Sequence, residues 1–384
     1  MDFNLSEDHI AIRKTVREFA ETEIAPGARE RDENSEFPAE IVKKLAQLGM
    51  SGVCSPIEYG GSGLDYLSFT IIIEELARID ASVAVIISVT NTLAGFPLKR
   101  FGTDEQKKKY LTPLSTGEKL GAYSLSEAQA GSDASNLACM AVRDGDDYVL
   151  NGVKNFVTNG GNADIIILFA MTDKKEGKKG ISTFIIEKEM LGVSVGKIEK
   201  KLGIRSSDTV ELVFEECRVP AANRLGEEGE GFKIAMTTLD YGRVGIGAQA
   251  LGIAQGAMER AIAYSLEREQ FGKKINEFQA IQFKISDMAV EIDATRLLLY
   301  RAAWMQDRGE NFTAESAMAK LFASQTAMKT ANQAVQIFGG YGYMREFEIE
   351  RFMRDAKITE IYEGTSEIQK IVIARETLRK YGNS

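Results

Sequence analysis

Histidine is nearly absent from this chain of 384 residues, which contains only His9. A Ser-His-Asp triad, a Cys-His protease site and a His-rich zinc site are thereby excluded. The three cysteines, Cys54, Cys139 and Cys217, are far apart and odd in number, so they indicate buried, reduced thiols rather than a disulfide framework or a metal site. Acid–base chemistry must therefore depend on Glu, Asp, Lys or Tyr, or on a cofactor.

The sequence also lacks an excess of positive charge and a long apolar run. Its formal net charge of −9 offers no basic surface to a phosphate backbone, so we expect no nucleic-acid partner. The runs at Ile165–Met171 and around Val83–Val89 are shorter than the roughly 20 residues that cross a bilayer. The N-terminal segment resembles neither a signal peptide nor a transit peptide. We therefore expect no membrane span and a cytoplasmic location or, in an organelle, the mature mitochondrial matrix form.

The apolar pattern changes twice along the chain. Helical spacing prevails up to about residue 120, and short runs of Val, Ile, Phe and Thr between glycine-bearing turns follow up to about residue 225. Long, Ala-rich amphipathic helices return from Gly231 onward. The sequence thus predicts an α+β fold with an N-terminal helical domain (1–123), a small central β-barrel domain (124–228) and a C-terminal four-helix bundle (229–384).

Three segments carry more polar, glycine and aromatic residues than plain core elements require. They are YSLSEAQAGSD (123–133), KNFVTNGG (154–161) and the stretch 336–365, which opens with QIFGGYGY and closes with YEGT. Such turns can meet a phosphate or a heterocycle, although each alone is equally consistent with a turn between ordinary elements. Neither a Rossmann glycine motif after a strand nor a P-loop is present.

Glu363 precedes Gly364 and a capping pattern formed by Ser366 and Gln369. This pattern predicts that the glutamate lies on a loop at the start of a helix. In an apolar cleft, the pKa of such a carboxyl rises toward the range that a general base needs. The alternative is that Glu363 only favours the helix N-terminus electrostatically.

Taken together, these segments carry a family resemblance. YSLSEAQAGSD, KNFVTNGG, REQFG, QIFGGYGY and YEGTSEIQ occur in the order and spacing of the acyl-CoA dehydrogenases, over essentially the whole chain. The chain is most similar to the bacterial butyryl-CoA (short-chain) members, through MDFNL, the run 229–254 and RDAKITEIYEGT. The resemblance implies an FAD-dependent enzyme of fatty acid β-oxidation that converts a short-chain acyl-CoA to the 2-enoyl-CoA. Glu363 would abstract the proton, and the hydride would pass to N5 of FAD.

Some members of the family carry the base elsewhere, in an L-D-x-E-R pattern. This chain has Gly242 where that glutamate would be, between Tyr241 and Arg243. The alternative base is absent, which favours Glu363.

The resemblance also implies contacts with the cofactor. The positions around the isoalloxazine ring are Tyr123, Ser126, Phe156 and Thr158, of which Ser126 and Phe156 stand where many relatives carry Thr and Trp. The positions that hold the pyrophosphate and adenosine across a subunit boundary are Arg268, Gln270, Phe271, Gln279, Gln336, Gly339 and Gly340. Further FAD contacts are Thr365 and Glu367.

For the acyl-CoA substrate, the matching positions are Ser132, Asp240, Arg243, Gly364 and Arg375, together with Asn91. Two of these assignments have alternatives. Arg243 is suited to a phosphate, but it could equally be the ion-pair partner of Asp240. Asn91 belongs to a helix that lines the acyl cavity, where an amide would suit an alicyclic or branched acyl group; otherwise it is a helix-surface residue.

The implied partners are an electron-transferring flavoprotein and further copies of the chain in a homotetramer, with no metal. Within enzymes, the alternatives are a dehydrogenase of an alicyclic or branched acyl-CoA, an acyl-CoA oxidase and a decarboxylating relative. In a different class, the alternative is a non-catalytic helical scaffold of the same fold.

Overall fold

The structure is a computed structural model that describes residues 4–382, so the first three residues of MDFNL lie outside the described part. The chain begins with helices, two of which are capped by Asp65 and Asp80, whose carboxylates accept backbone N–H groups of the first turn. Short π-helical turns at Ala20–Ile24, Thr90–Gly95 and Lys107–Leu111 continue three helical runs. The helices are α1 (Glu7–Phe19), α2 (Ala28–Asn34), α3 (Ala39–Gln47), α4 (Tyr66–Ala77), α5 (Ala81–Val89), α6 (Phe96–Phe101), α7 (Asp104–Gln106) and α8 (Thr112–Thr116).

The continuous helix that includes α5 and α6 is longer than the apolar run in its sequence. It extends without a break over the 21 residues Ala81–Phe101, and its most apolar 18-residue window has a mean hydropathy of 1.6. By length and composition alone it could cross a membrane. The apolar run itself is short, as expected, because Ser88, Thr90 and Asn91 interrupt the apolar pattern, but these polar residues do not end the helix. However, 94% of its most apolar window is buried inside the protein, as in a core helix.

The middle of the chain forms one eight-stranded mixed sheet. The strand order is β6-β7-β3-β2-β4-β5-β8, and β1 runs parallel to β4. Every residue of β4 is buried, which its unbroken apolar sequence accounts for. The strands are β1 (Gly121–Ser124), β2 (Met140–Asp144), β3 (Asp147–Thr158), β4 (Ile165–Met171), β5 (Ile181–Glu187), β6 (Val193–Ile198), β7 (Thr209–Pro220) and β8 (Arg224–Leu225).

Strand β3 is irregular where it passes the KNFVTNGG segment. Its pairing with β7 shifts register between Lys154 and Val157, and within this bulge Phe156 has a φ of 59°. The bulge turns the phenyl ring outward, so that Phe156 is 65% exposed. Bulges of this kind commonly aim a side chain at a site.

Long helices return in the last part of the chain. The core of this part is the packing of α9 against α11, α4 and α10. The buried face of α11 consists largely of alanines, including Ala319, Ala323 and Ala327, which lets the neighbouring helices approach closely. The elements are α9 (Gly231–Glu267), β9 (Glu269–Gln270), β10 (Lys273–Lys274), α10 (Gln279–Asp307), α11 (Thr313–Phe338), α12 (Ile349–Ile358) and α13 (Ser366–Gly382).

The apolar core connects the three parts of the chain. One cluster runs from α1, α4 and α5 into α9–α12, a second joins the N-terminal helices to the sheet, and a third lies within the sheet. The structure therefore has the expected α, β, α order in one packed unit.

Candidate active site around Glu363

The turn that carries Glu363 has an unusual backbone conformation. Glu363 has a φ of 50° and Gly364 one of 94°, a left-handed pair that costs on the order of 1 kcal/mol or more at the non-glycine position. Lys320 Nζ donates to the Gly364 carbonyl at 2.7 Å, and Gln369 Nε2 donates to the same carbonyl at 2.8 Å and to that of Glu363 at 3.3 Å. The turn is thus held from both α11 and α13.

The helix after this turn is capped one residue earlier than expected. Helix α13 begins at Ser366, and it is Thr365 Oγ1 that accepts from the N–H of Ile368, at 3.4 Å. The predicted capping box of Ser366 with Gln369 was wrong, because the Gln369 side chain turns back to the Gly364 carbonyl. Glu363 lies on a loop before the helix, as predicted.

The carboxylate of Glu363 occupies a space that the helix α9 leaves free. Its Oε2 is buried and has no hydrogen-bond partner among the described residues. A Cβ added at Gly242 would collide with this oxygen and would lie 2.9 Å from Cδ2 of Leu93. The carboxylate of Glu363 therefore fills the space that a side chain at position 242 would need.

Burial controls the charge of this carboxyl. It raises the pKa of Glu363 to about 7, against the opposing effect of the cations Lys320 and Arg243. Burial also lowers the pKa of Lys320 to about 8, although Glu363 acts in the other direction. A carboxyl with a pKa near neutrality suits a general base.

Arg243 is the ion-pair partner of Asp240, as one of the two sequence interpretations held. Its Nη1 donates to Asp240 Oδ1, and Asp240 Oδ2 accepts from Thr313 Oγ1 at 2.8 Å. The guanidinium is buried, and its Nε has no partner among the described residues. Burial lowers the pKa of Arg243, and Asp240 and Glu363 counteract this. A substrate contact of Arg243 stays a prediction.

Tyrosines line the rest of the surroundings of Glu363. The hydroxyl of Tyr362 donates to Gln249 Oε1, whereas the buried hydroxyl of Tyr123 has no partner within residues 4–382. Burial, followed by the charge of Glu363, raises the pKa of both tyrosines well above the usual value. These groups stay neutral, so the two cations are the charges that face the carboxylate.

Two of the segments predicted to contact the flavin ring meet in the fold. The N–H of Asn155, on the β3 bulge, donates to the carbonyl of Ser126 at 2.9 Å. Tyr123 lies on β1 and Thr158 at the end of β3. The exposed phenyl ring of Phe156 suits the face of a flat heterocycle. The buried hydroxyl of Tyr123, which has no partner among the described residues, suits its edge.

The positions predicted for the adenosine part come together elsewhere, at the end of the bundle where α9 and α11 end and α10 begins. The Arg268 guanidinium lies 5.4 Å from the ring centroid of Tyr341, which joins REQFG to QIFGGYGY. Phe271 is 94% exposed at the β9–β10 turn, and a Cβ at Gly339 or Gly340 would meet nothing within 4 Å. The other predicted residues here, also exposed, are Gln270, Gln279 and Gln336.

The remaining predicted positions are dispersed around the Glu363 turn or at the surface. Ser132 is exposed in the loop after β1, and Glu367 is exposed in the first turn of α13. Arg375 is exposed and pairs with Glu376 at 2.8 Å. Burial raises the pKa of Asp240, while Arg243 and Arg375 lower it, so these charges act on one another.

Asn91 has a structural role that neither sequence interpretation anticipated. Its Oδ1 accepts from the N–H of Val53 at 2.8 Å, and its Nδ2 donates to the carbonyls of Met50 and Ile87, each at 2.9 Å. The amide ties α5 to the segment after α3. Because its polar atoms are engaged by backbone groups, Asn91 is not a free surface residue. A contact of Asn91 with the acyl group stays a prediction.

Sequence reasoning missed Lys320 and Gln369, which hold the Glu363 turn. A signal for Lys320 existed: it stands in AMAKLFA, on the face of α11 that is otherwise alanine. A lysine at such a core position requires a partner.

Three family models match successive parts of the chain: the acyl-CoA dehydrogenase N-terminal domain at residues 6–118, the middle domain at 122–217 and the C-terminal domain at 229–378. The chain belongs to the acyl-CoA dehydrogenase family. The expected enzyme family and fold are thereby confirmed, while the domain boundaries at 123/124 and 228/229 stay a prediction.

Individual proteins are similar over the full length. The short-chain specific acyl-CoA dehydrogenase of Clostridium acetobutylicum is 52% identical, with 99% of this chain and 100% of the relative covered. The mitochondrial short-chain specific acyl-CoA dehydrogenase of Rattus norvegicus is 48% identical, with 98% and 92% covered. Relatives thus occur in bacteria and in mitochondria.

Solved structures agree closely. Butyryl-CoA dehydrogenase from Megasphaera elsdenii has a TM-score of 0.97 and 49% identity, covering 98% of this chain and 100% of that one. A structure described as the electron transferring flavoprotein of Acidaminococcus fermentans has a TM-score of 0.98 and 51% identity, covering 99% and 100%. The FAD complex of PigA has a TM-score of 0.94 and 33% identity, covering 98% and 99%.

Proposed function

We propose that this protein is an FAD-dependent dehydrogenase that desaturates a short-chain acyl-CoA thioester between Cα and Cβ, with Glu363 as the base. The observation that carries the proposal is the buried Oε2 of Glu363, which has no partner in the described residues and lies where Gly242 leaves space. A structural carboxylate would have its oxygens hydrogen-bonded.

The residues of this chain account for the proton transfer. Glu363, as a carboxylate, accepts the proton from Cα, and its backbone N–H donates to the thioester carbonyl, where negative charge develops. FAD, when bound, supplies at N5 the acceptor for the hydride that leaves Cβ, so that two hydrogens are lost and one C=C bond forms.

We propose that Tyr123, Ser126, Phe156 and Thr158 contact the isoalloxazine ring of FAD. Thr365 and Glu367 are proposed as further FAD contacts. The bulged, exposed Phe156 supports this assignment. For CoA we propose Ser132, Asp240, Arg243, Gly364 and Arg375.

The short acyl chain is supported by the short-chain specific relatives, and a cluster of aromatic rings packs around Tyr241, next to Gly242. Tyr241 immediately precedes Gly242 and stacks on Phe96, with ring centroids 3.6 Å apart. It also meets Tyr66 and Phe312 edge-on, at 5.5 Å and 5.2 Å. Three of these rings, Tyr66, Phe96 and Tyr241, line a cavity of about 500 Å³ together with Asn91.

We infer that the protein is a homo-oligomer, by family likeness a tetramer. Four apolar residues follow each other at intervals of seven along α10, and each is about half exposed: Phe283, Val290, Leu297 and Trp304. Such a stripe suits packing against a helix of another copy. Gln336 lies 16 residues after Lys320 on α11, about 24 Å at the rise of a helix. The predicted adenosine site is thus remote from the base, as expected if it serves a neighbouring copy.

The proposed electron acceptor is an electron-transferring flavoprotein, supported by the similarity to the Acidaminococcus fermentans structure. The proposed location is the bacterial cytoplasm or, for an organellar protein, the mitochondrial matrix. Rapid reaction with oxygen combined with failure to reduce such a flavoprotein would contradict the proposed acceptor.

The function is tested by anaerobic mixing of the yellow purified protein with butyryl-CoA and, separately, with long-chain, branched and cyclic acyl-CoAs, while the flavin absorbance is followed. Rapid bleaching by butyryl-CoA is expected, with loss of bleaching in Glu363→Gln. Bleaching only by cyclic or branched thioesters would contradict the substrate class, and a colourless protein that binds no FAD would contradict the enzyme itself.

A further inference from the structure

Lys320 is a lysine in the core of the protein, on the alanine face of α11, with 0% of its surface exposed. An ammonium group in such a place costs several kcal/mol unless it is hydrogen-bonded and faces opposite charge. Its hydrogen bond goes to the carbonyl of Gly364, at 2.7 Å. The buried cation is therefore directed at the residue that follows the proposed base.

The carbonyl of Gly364 receives two donors from two helices. Lys320 Nζ comes from α11, and Gln369 Nε2, at 2.8 Å, comes from α13. A carbonyl oxygen has two lone pairs, so both are in use. The backbone of the turn is fixed in this way, while the carboxylate of Glu363 itself is left without a partner among the described residues.

Few charged groups act on Lys320 and Glu363. The groups that act on Lys320 are Glu363, Arg243, Glu360 and Glu367. Those that act on Glu363 are Lys320, with the larger effect, and Arg243. Arg243 is neutralised in part by its ion pair with Asp240. Lys320 is accordingly the main group that favours the carboxylate form of the base.

We propose that Lys320 is a positioning residue of this site: it holds the left-handed turn of Glu363 through the Gly364 carbonyl and, by its charge, favours the carboxylate form of Glu363. The proposal rests on the proposed function of Glu363 as the base. It assigns the two donors to the Gly364 carbonyl different tasks. Gln369 contributes hydrogen bonds only, to this carbonyl and to that of Glu363, whereas Lys320 contributes a hydrogen bond and a charge.

This difference provides a matched pair of variants. Lys320→Met removes a donor and a charge, whereas Gln369→Met removes the donor to the Gly364 and Glu363 carbonyls and no charge. In the FAD-loaded protein, the anaerobic bleaching rate with butyryl-CoA is measured across pH. We expect Lys320→Met to shift the acidic limb of the pH–rate profile to higher pH by about one pH unit. This shift lowers the bleaching rate at neutral pH about fivefold, with little change in KM. Gln369→Met is expected to lower the bleaching rate several-fold without shifting the acidic limb of the pH–rate profile.

A second measurement does not require turnover. Infrared difference spectra recorded during a pH titration follow the carboxylic acid C=O band that Glu363→Gln removes. In Lys320→Met this band should persist to higher pH than in the wild type, whatever the thioester specificity. If no acyl-CoA bleaches the wild type, the proposed function fails while this titration still decides the role of Lys320.

Equal loss of rate in both variants, with the limb and the infrared titration unchanged, would overturn the proposal, because Lys320 would then act as a structural donor only. Unchanged rates in Lys320→Met would overturn it as well. If Lys320→Met does not fold, Lys320→Gln removes the charge in a side chain that retains a donor, and the same upward shift is expected there.

Discussion

Two buried carboxyl groups lie eight residues apart in the chain, Asp355 near the end of α12 and Glu363 in the turn that follows. Burial raises the pKa of both to about 7. Their partners differ. Asp355 Oδ1 accepts from the N–H of Ile204 at 2.5 Å, and its Oδ2 lies 3.9 Å from Arg351, whereas Glu363 Oε2 has no partner within the described residues. A raised pKa alone therefore does not distinguish a base from a structural acid.

The surroundings of Asp355 explain its role. Neighbouring Arg354 binds Asp32 at 2.7 Å, and Arg351 donates to the carbonyl of Ile79 at 3.0 Å. With the bond from Ile204, this network connects the N-terminal helices, the middle of the chain and α12. The comparison shows that a perturbed carboxyl is a candidate for catalysis when its oxygen is unsatisfied and faces space, and a candidate for structure when its oxygens are bonded.

The largest expected effect separates the two carboxyls by rate. Glu363→Gln should slow anaerobic flavin bleaching by about 10²- to 10⁴-fold, because it removes the general base with little change in shape. Asp355→Asn should change the rate only a few-fold. Both variants are compared by rapid mixing at equal flavin content. If Asp355→Asn binds its full complement of flavin but bleaches as slowly as Glu363→Gln, the distinction between a catalytic and a structural carboxyl would be contradicted.

The second effect separates them by stability. Asp355→Ala leaves the Ile204 N–H and the Arg351 guanidinium without this partner, so we expect a loss of roughly 3 to 5 kcal/mol in the free energy of unfolding. Urea unfolding at neutral pH measures it, with Asp355→Asn, which keeps an acceptor for Ile204, as the milder control. A loss below about 1 kcal/mol would mean that the network does not hold the fold.

The third effect concerns the pH dependence of stability. The folded-state pKa of Glu363 is raised from 4.5 to about 7, so the folded protein binds this proton more tightly than the unfolded chain does. Its contribution is present below about pH 4.5 and is lost as pH rises through about 7. The Glu363→Gln variant does not titrate at this position and therefore does not lose this stability as pH rises. By pH 8 its free energy of unfolding should exceed that of the wild type by up to roughly 3 kcal/mol. Parallel urea unfolding curves at acidic and alkaline pH test this, and a gap that does not widen with pH would contradict it.

The smallest effect concerns the space next to the base. Gly242→Ala places a methyl group against Oε2 of Glu363, so the carboxylate must move, and we expect the bleaching rate to fall about tenfold or more. The fold should remain, because alanine is a better helix former than glycine. Gly247→Ala, also on α9 but facing Leu299, is a control for crowding away from the base.

Much of this site could be predicted from the sequence because its signals are local. The order of elements follows from apolar periodicity. The role of Glu363 and the absent glutamate at position 242 follow from the resemblance of YEGT and of residues 239–243 to motifs of the family. Long-range partners left no local pattern. Asn91 bonds to backbone groups of Met50 and Val53, about forty residues earlier, and nothing in its neighbourhood indicates this. Thr365 and Ser366 are equally suited to cap a helix, so the register of α13 was decided by packing.

The most direct measurement is the rate of anaerobic flavin bleaching by butyryl-CoA as a function of pH, in the wild type and in Glu363→Gln. The account predicts a wild-type rate that rises with pH to a plateau, with its midpoint at about 7, and a Glu363→Gln rate that is very low throughout. A Glu363→Gln protein that retains the wild-type rate and profile would show that another group abstracts the proton.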